Sequence, residues 1–160
     1  MTIARLVFEA LRNNDIKLVT AESCTGGLVA AAMTDIAGSS QIFDRGFVTY
    51  SNEAKTECLA VPFDMLQQHG AVSAHVAMAM AEGALLHSKA DIAIAITGIA
   101  GPEGGTIEKP VGLVFFGLAC KNKKTNYSKQ EFGIYSRSKI RNLAKKFALQ
   151  MVLDQLTTKP

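Results

Sequence analysis

Ile16-Lys17-Leu18-Val19-Thr20-Ala21-Glu22-Ser23-Cys24-Thr25-Gly26-Gly27-Leu28-Val29-Ala30-Ala31-Ala32-Met33 passes from a strand pattern to helix-forming residues across one polar turn. Ser23 ends the strand, and Thr25-Gly26-Gly27 opens the helix. Glycines at such a junction let backbone approach a ligand. The first N–H groups of a helix lack intrahelical partners and point at whatever anion or developing oxyanion lies beside Ser23. Helix capping by the Ser or Thr hydroxyl is the competing reading of the same residues.

Outward from this junction, helices and strands alternate. Thr2 caps a first helix whose Ile3, Leu6, Val7, Ala10 and Leu11 share one face, ending near Asn13-Asn14. The helix after Ser23 runs to about Asp35, and Ala37-Gly38-Ser39-Ser40 is a loop. Phe43 to Ser51 reads as a strand, Asn52 caps a short helix through Lys55 to Leu59, and Pro62 and Gly70 bracket another. A long Ala/Met-rich helix starts at Ser73 and reaches about His87; its Met78 and Met80 read as core packing.

Asp91 to Ile96 is a nearly continuous apolar run, the pattern of a strand buried on both faces. It stops in Thr97-Gly98-Ile99-Ala100-Gly101-Pro102-Glu103-Gly104-Gly105, where four glycines and a proline preclude regular structure, so the strand presents a loop to a ligand. Val111 to Cys120 and Asn126 to Phe132 are two strands joined at Lys121 to Lys124, and a last helix spans about Ser136 to Leu156.

With 160 residues and 48% hydrophobic composition the chain can bury one full-sized core, so residues 1–160 are expected to form one domain. No run reaches the roughly 20 apolar residues of a membrane span, and a soluble cytoplasmic protein is expected. Cys24, Cys58 and Cys120 fit neither a disulfide framework nor a C-x-x-C metal site. The net charge of +3 conceals an asymmetry: residues 1–120 hold 7 Lys/Arg against 12 Asp/Glu, whereas residues 121–160 hold 10 against 2. Such a tail can serve nucleic acid, an acidic partner or a phosphorylated substrate, or be a solvated helix face; its aromatic residues are too sparse to favour single-strand binding. Dinucleotide, Walker and G-x-S-x-G motifs are absent, and His69, His75 and His87 lack metal-ligand spacing. No cofactor or metal is expected.

Ala21-Glu22-Ser23-Cys24-Thr25-Gly26-Gly27, Asp35-Ile36-Ala37-Gly38-Ser39-Ser40, Arg45 to Lys55, His69-Gly70-Ala71-Val72-Ser73, Thr97 to Pro102, Gly104-Gly105 and Lys109-Pro110-Val111-Gly112 together resemble the C-terminal domain of the competence/damage-inducible CinA proteins. Stand-alone members of that family include nicotinamide mononucleotide amidohydrolases. The resemblance implies a three-layer α/β/α sandwich on a mixed, mostly parallel sheet of about five strands, in keeping with the element order above. It also implies hydrolysis of the carboxamide of nicotinamide mononucleotide to nicotinic acid mononucleotide and ammonia, and a homodimer.

An amidase needs a nucleophile, a base that later assists departure of ammonia, and donors for the tetrahedral oxyanion. The resemblance assigns the nucleophile to Ser23; Cys24 is the alternative. With no suitable histidine, Lys55 is the best base, provided that burial or nearby cations lower its pKa. Tyr50 is expected to orient the base or stack near the pyridinium. The backbone at Cys24, Thr25 and Gly26, or at Thr97 and Gly98, is a candidate oxyanion site, and Thr97 a contact for the carboxamide. Arg137 and Arg141, four residues apart on one helical face, are candidate contacts for the substrate phosphate, Arg137 at the helix start ahead of Arg141. Phe132-Gly133-Ile134-Tyr135-Ser136-Arg137 is one residue longer than the Phe-x-Gly-Asp-Arg of many members and lacks its aspartate. A non-catalytic module for nucleotide or nucleic acid is the alternative function.

Overall fold

A computed structural model of the protein describes residues 1–158; the expected domain extends to Pro160, and Lys159 and Pro160 lie outside the described residues. In chain order the elements are α1 (Ile3–Asn13), β1 (Leu18–Glu22), α2 (Leu28–Thr34), β2 (Phe43–Val48), α3 (Asn52–Leu59), α4 (Phe63–His69), α5 (Ala74–Leu86), β3 (Ile92–Gly98), β4 (Leu113–Cys120), β5 (Asn126–Glu131) and α6 (Arg137–Thr157), with one 3-10 turn at Ser39–Gln41. The strands form one sheet in the order β2-β1-β3-β4-β5. β1 is parallel to β2 and β3, β4 is antiparallel to β3, and β5 is antiparallel to β4. Four strands therefore point one way and β4 alone is reversed, which is the mixed, mostly parallel sheet expected.

Helices cover both faces, and the period-2 alternation of strand side chains decides what each face receives. In β3, Ile92, Ile94 and Ile96 pack with residues of α1, α2 and α6, while Ala93 and Ala95 face α3, α4 and α5. The small residues on the second face let α5 lie close to the sheet. Gly117 of β4 shows how close: a Cβ there would stand 2.1 Å from the Ala77 carbonyl of α5.

The same alternation sets up the junction after β1. Leu18 and Glu22 share the α2 side, whereas Val19, Ala21 and the next odd position, Ser23, share the α3 side. From the C-terminal ends of β1 and β3 the chain departs in opposite directions, to β2 on one side and β4 on the other. The crevice between such strand ends is where open α/β sheets bind ligands.

Several boundaries differ from those expected. β3 continues through Thr97 and Gly98, which pair with Phe115 and Val114 of β4, so the stretch expected to be irregular begins only at Ile99; glycine is no bar to a strand when a neighbouring strand supplies its hydrogen bonds. β4 starts at Leu113 rather than Val111. β2 stops at Val48, and α3 is capped by Ser51, whose Oγ accepts from Ala54 N at 3.0 Å; Asn52 is the first helical residue. Ser51 and Asn52 are both good capping residues, and only the extended backbone of Ser51 distinguishes them. Met80 is fully buried and Met78 half-buried.

Candidate active site

Ser23 continues the sheet for one more bond, its N–H donating to Ile96 O at 3.0 Å, and the chain then turns away because Ser23 O accepts from Gly26 N at 3.0 Å. Ser23 is 9% exposed. Lys55 enters beneath it from the first turn of α3 and is only 1% exposed. Its Nζ lies 3.0 Å from Ser23 Oγ, 2.8 Å from Thr49 O and 3.4 Å from Tyr50 O.

Burial holds the Lys55 pKa below the ordinary 10.5, opposed in part by Cys24. A neutral amine has two N–H donors and one lone pair. Carbonyls can only accept, so in that neutral form the two N–H groups go to Thr49 O and Tyr50 O and the lone pair faces the hydroxyl of Ser23, whereas the protonated amine donates to Ser23 Oγ as well. The arrangement can thus take a proton from Ser23.

The turn beside them is held from two sides. Gly26 and Gly27 adopt φ of +57° and +104°, which a side chain would strain. On the α2 side the fully buried Glu22 carboxylate accepts from Val29 N at 2.9 Å and Ala30 N at 3.1 Å. The anion at the N-terminus of α2 is therefore the protein's own carboxylate, which corrects the expectation that these helix N–H groups face the ligand. The sequence carried a signal for this: an acid at an inward strand position just before a helix start favours that helix end.

On the same side, Arg141 of α6 donates through Nε to Cys24 O at 2.9 Å and through a terminal nitrogen to Thr25 O at 3.1 Å. Thr25 is fully buried, and its hydroxyl has no hydrogen-bond partner among the described residues.

Above Ser23 opens a cleft of about 270 Å³, of small-molecule size, lined by Ser23, Cys24, Tyr50, Lys55, Thr97 and Gly98 at the end of β3, Ile99 to Gly101 of the loop that follows, and Arg137, with Asn52, Ala71, Val72, Glu103 and Gly104 completing its wall. Arg137, the first residue of α6, donates to Gly101 O at 2.9 Å and to the Tyr50 hydroxyl at 2.8 Å, bridging the two sides of the mouth. Thr97 donates its hydroxyl to Ala71 O at 2.9 Å, tying the end of β3 to the segment before α5. Of the candidate residues, Ser23, Lys55, Tyr50, Thr97, Gly98 and Arg137 meet in this cleft. Thr25, Gly26 and Arg141 do not line it. Arg141 departs from its expected role as a phosphate contact, because its guanidinium is engaged by loop carbonyls behind the turn. Asn52, Ala71 and Val72 lie in segments that carry the family resemblance, and Glu103 in the loop expected to meet a ligand, but none of the four was given a site role of its own.

The surroundings of Cys24 disfavour its thiolate. Burial pushes its thiol up to about 12, against the opposing effect of its own backbone N–H and of Arg141, so almost no thiolate exists near neutrality. Among the described residues no group of three or more His, Cys, Asp or Glu side chains is placed to hold a metal ion, and no helix is long and apolar enough to cross a membrane.

Residues 1–156 match the CinA C-terminal domain family, and the chain belongs to it. A putative competence-damage inducible protein of Symbiobacterium thermophilum is 57% identical over 123 residues, covering 77% of this chain and 29% of its own length. The chain thus spans under a third of that longer relative. The nicotinamide-nucleotide amidohydrolase PncC of Enterobacter agglomerans is 52% identical over 146 residues, covering 91% of this chain and 88% of its own. The crystal structure of the competence/damage inducible protein CihA from Agrobacterium tumefaciens superposes with a TM-score of 0.94 at 46% identity, covering 98% of this chain and 94% of that one.

Proposed function

We propose that the chain is a serine amidohydrolase that converts nicotinamide mononucleotide and water to nicotinic acid mononucleotide and ammonia. The observation that carries this reading is the 3.0 Å approach of a buried lysine amine to Ser23 Oγ at the floor of a small-molecule cleft. The stand-alone Enterobacter relative, similar over 91% of this chain, carries the corresponding name and supports the choice of substrate.

In this mechanism neutral Lys55 takes the proton of Ser23 as Oγ bonds to the carboxamide carbon, and the carbonyl oxygen becomes the tetrahedral oxyanion. Lys55 then gives that proton to the amide nitrogen as the C–N bond breaks, and ammonia leaves. Water repeats the sequence on the acyl-serine, with Lys55 again as base, and frees the carboxylate product. Tyr50 positions Lys55 through its carbonyl and Arg137 through its hydroxyl. Thr97 and Gly98 form the wall against which the pyridine ring lies. Arg137 binds the 5′-phosphate, a role for which its placement at both a helix start and the cleft mouth is suited.

The whole of residues 1–160 is proposed as one amidohydrolase domain that needs no cofactor or metal. The homodimer that the family resemblance implies is part of the same proposal, as are the cytoplasmic location expected from the lack of an apolar span and the absence of nucleic-acid function expected from the sparse aromatic residues; sedimentation velocity tests the dimer. The decisive experiment is a coupled assay of ammonia release from nicotinamide mononucleotide by the purified chain, with the nucleotide product identified by mass. Mononucleotide binding without ammonia release would instead establish the non-catalytic module.

A further inference from the structure

The contacts of Arg141 extend beyond the carbonyls they reach. In a trans peptide the C=O and N–H point in opposite directions, so a donor fixed on the carbonyl also fixes and polarises the N–H on the far side. Arg141 donates to Thr25 O at 3.1 Å, and the N–H of that same peptide unit belongs to Gly26. Gly26 N donates to Ser23 O at 3.0 Å, and the N–H of that next peptide unit belongs to Cys24. Among the described residues the Cys24 N–H donates to no carbonyl, and Cys24 lines the cleft beside Ser23. The second contact, Arg141 Nε to Cys24 O at 2.9 Å, fixes the peptide unit between these two. A Cβ at Gly26 would lie 3.2 Å from the guanidinium, so the turn and the arginine are in close contact.

On the reading of the chain as a serine amidase, we infer that Arg141 is a positioning residue for the transition state. Through the relay from Thr25 O by Gly26 N to Ser23 O, it orients and polarises the Cys24 N–H as the donor to the oxyanion that forms when Ser23 attacks. Chains of hydrogen bonds strengthen one another in a low-dielectric interior, and a cation at the head of this one adds to the effect. Glu22 anchors the other end of the turn to α2, so the donor is held before substrate arrives. Arg137 and Arg141, four residues apart, then have separate tasks: one grips the substrate and the other shapes the turn.

The test is steady-state kinetics of the full chain with Arg141→Ala and Arg141→Lys, on nicotinamide mononucleotide and on nicotinamide riboside, which lacks the phosphate. Removing an oxyanion donor outright costs about 10²–10³ in kcat, so loss of its support is expected to lower kcat by about 10–100-fold. KM should move less than about threefold, and the loss should be equal for both substrates, as for an interaction made only in the transition state. Lysine, without the planar fork, should recover little. Guanidinium chloride at millimolar concentration should restore Arg141→Ala but not Ser23→Ala. Wild-type kcat in Arg141→Ala, a KM effect confined to the phosphate-bearing substrate, or a kcat loss that guanidinium does not restore overturns the relay. Should Arg141→Ala fail to give a cooperative melt, the kcat and KM comparison of Arg141→Lys decides alone. An inactive wild type would instead overturn the amidase reading, and the relay with it.

Discussion

Lys55 Nζ stands 3.0 Å from Ser23 Oγ although the two residues are 32 positions apart and the amine is sealed from solvent. Burying an amine is unfavourable unless its polar partners are supplied, and two backbone carbonyls supply them. The fold thus places a cation-forming group where its charged state is disfavoured. A base that operates near neutrality requires this.

Replacing Ser23 by Ala is expected to lower ammonia release by more than about 10⁴-fold, as in comparable serine hydrolases, with the fold and most of the substrate affinity retained. Cys24→Ala should keep most of the activity. Alkylation at pH 8 followed by mass spectrometry should label the exposed Cys58 and leave Cys24, whose thiol sits near 12, unmodified. Activity surviving in Ser23→Ala and lost in Cys24→Ala would transfer the nucleophile to Cys24.

The pH dependence should carry a limb from Lys55. Only the neutral amine accepts the Ser23 proton, so kcat/KM falls as pH drops below the lowered Lys55 pKa and levels off above it. Stability should respond with a defined sign. Between the folded pKa and the ordinary 10.5, the unfolded chain holds a proton that the folded chain lacks, so stability rises with pH across that window. Lys55→Met removes the effect. Denaturant titrations from pH 7 to pH 10.5 should show wild type gaining on the variant as pH rises, and a pH-independent difference excludes a lowered pKa.

Arg137→Ala should raise KM for nicotinamide mononucleotide by roughly ten- to over a hundred-fold, the equivalent of about 1.5–3 kcal/mol for one charged hydrogen-bonding partner. The effect on nicotinamide riboside should be much smaller. Tyr50→Phe removes the hydroxyl that meets Arg137 at 2.8 Å and should raise KM only a few-fold, in line with about 0.5–1.5 kcal/mol for an ordinary hydrogen bond. Equal losses on both substrates in Arg137→Ala would place the phosphate elsewhere.

Glu22→Ala should destabilise the protein measurably. It leaves the buried N–H of Val29 and the part-buried N–H of Ala30 without their acceptor, at about 1–3 kcal/mol for the buried group and less for the other. For a chain of this size a loss of 1 kcal/mol lowers Tm by about 2–4 °C. Glu22→Gln, which keeps one acceptor oxygen, should fall between wild type and alanine. An unchanged Tm in Glu22→Ala would mean that water replaces the carboxylate.

Much of the fold was legible because its determinants are local. The Ile/Ala alternation of Ile92 to Ile96 announced a strand buried on both faces, and the turn residues from Ser23 to Gly27 announced the break after β1. Thr2, Ser73 and Ser136 each cap the helix that follows, a short-range bond between a hydroxyl and an N–H three residues on. The first boundary to slip, at Ser51 and Asn52, slipped where two neighbouring residues satisfy the same local rule.

The chemistry of the cleft depends on contacts that no local pattern encodes. Arg137 reaches Tyr50 across 87 positions and Arg141 reaches Cys24 across 117. Spacing puts both arginines on one helical face, and only the helix start favoured Arg137 over Arg141. Tertiary structure separated them: α6 lies against the sheet on the α2 side, so its first residue reaches over the strand ends into the cleft while the next turn meets the back of the loop. By itself the sequence determined the strands, the helices, the turn and the hydroxyl at its start. That the Lys55 amine expected as base is buried 3.0 Å from that hydroxyl, that the Glu22 carboxylate occupies the helix end, and that Arg141 turns behind the loop while Arg137 lines the cleft were decided only when distant segments packed, because burial and the direction of a hydrogen bond are properties of the folded surroundings rather than of the residue.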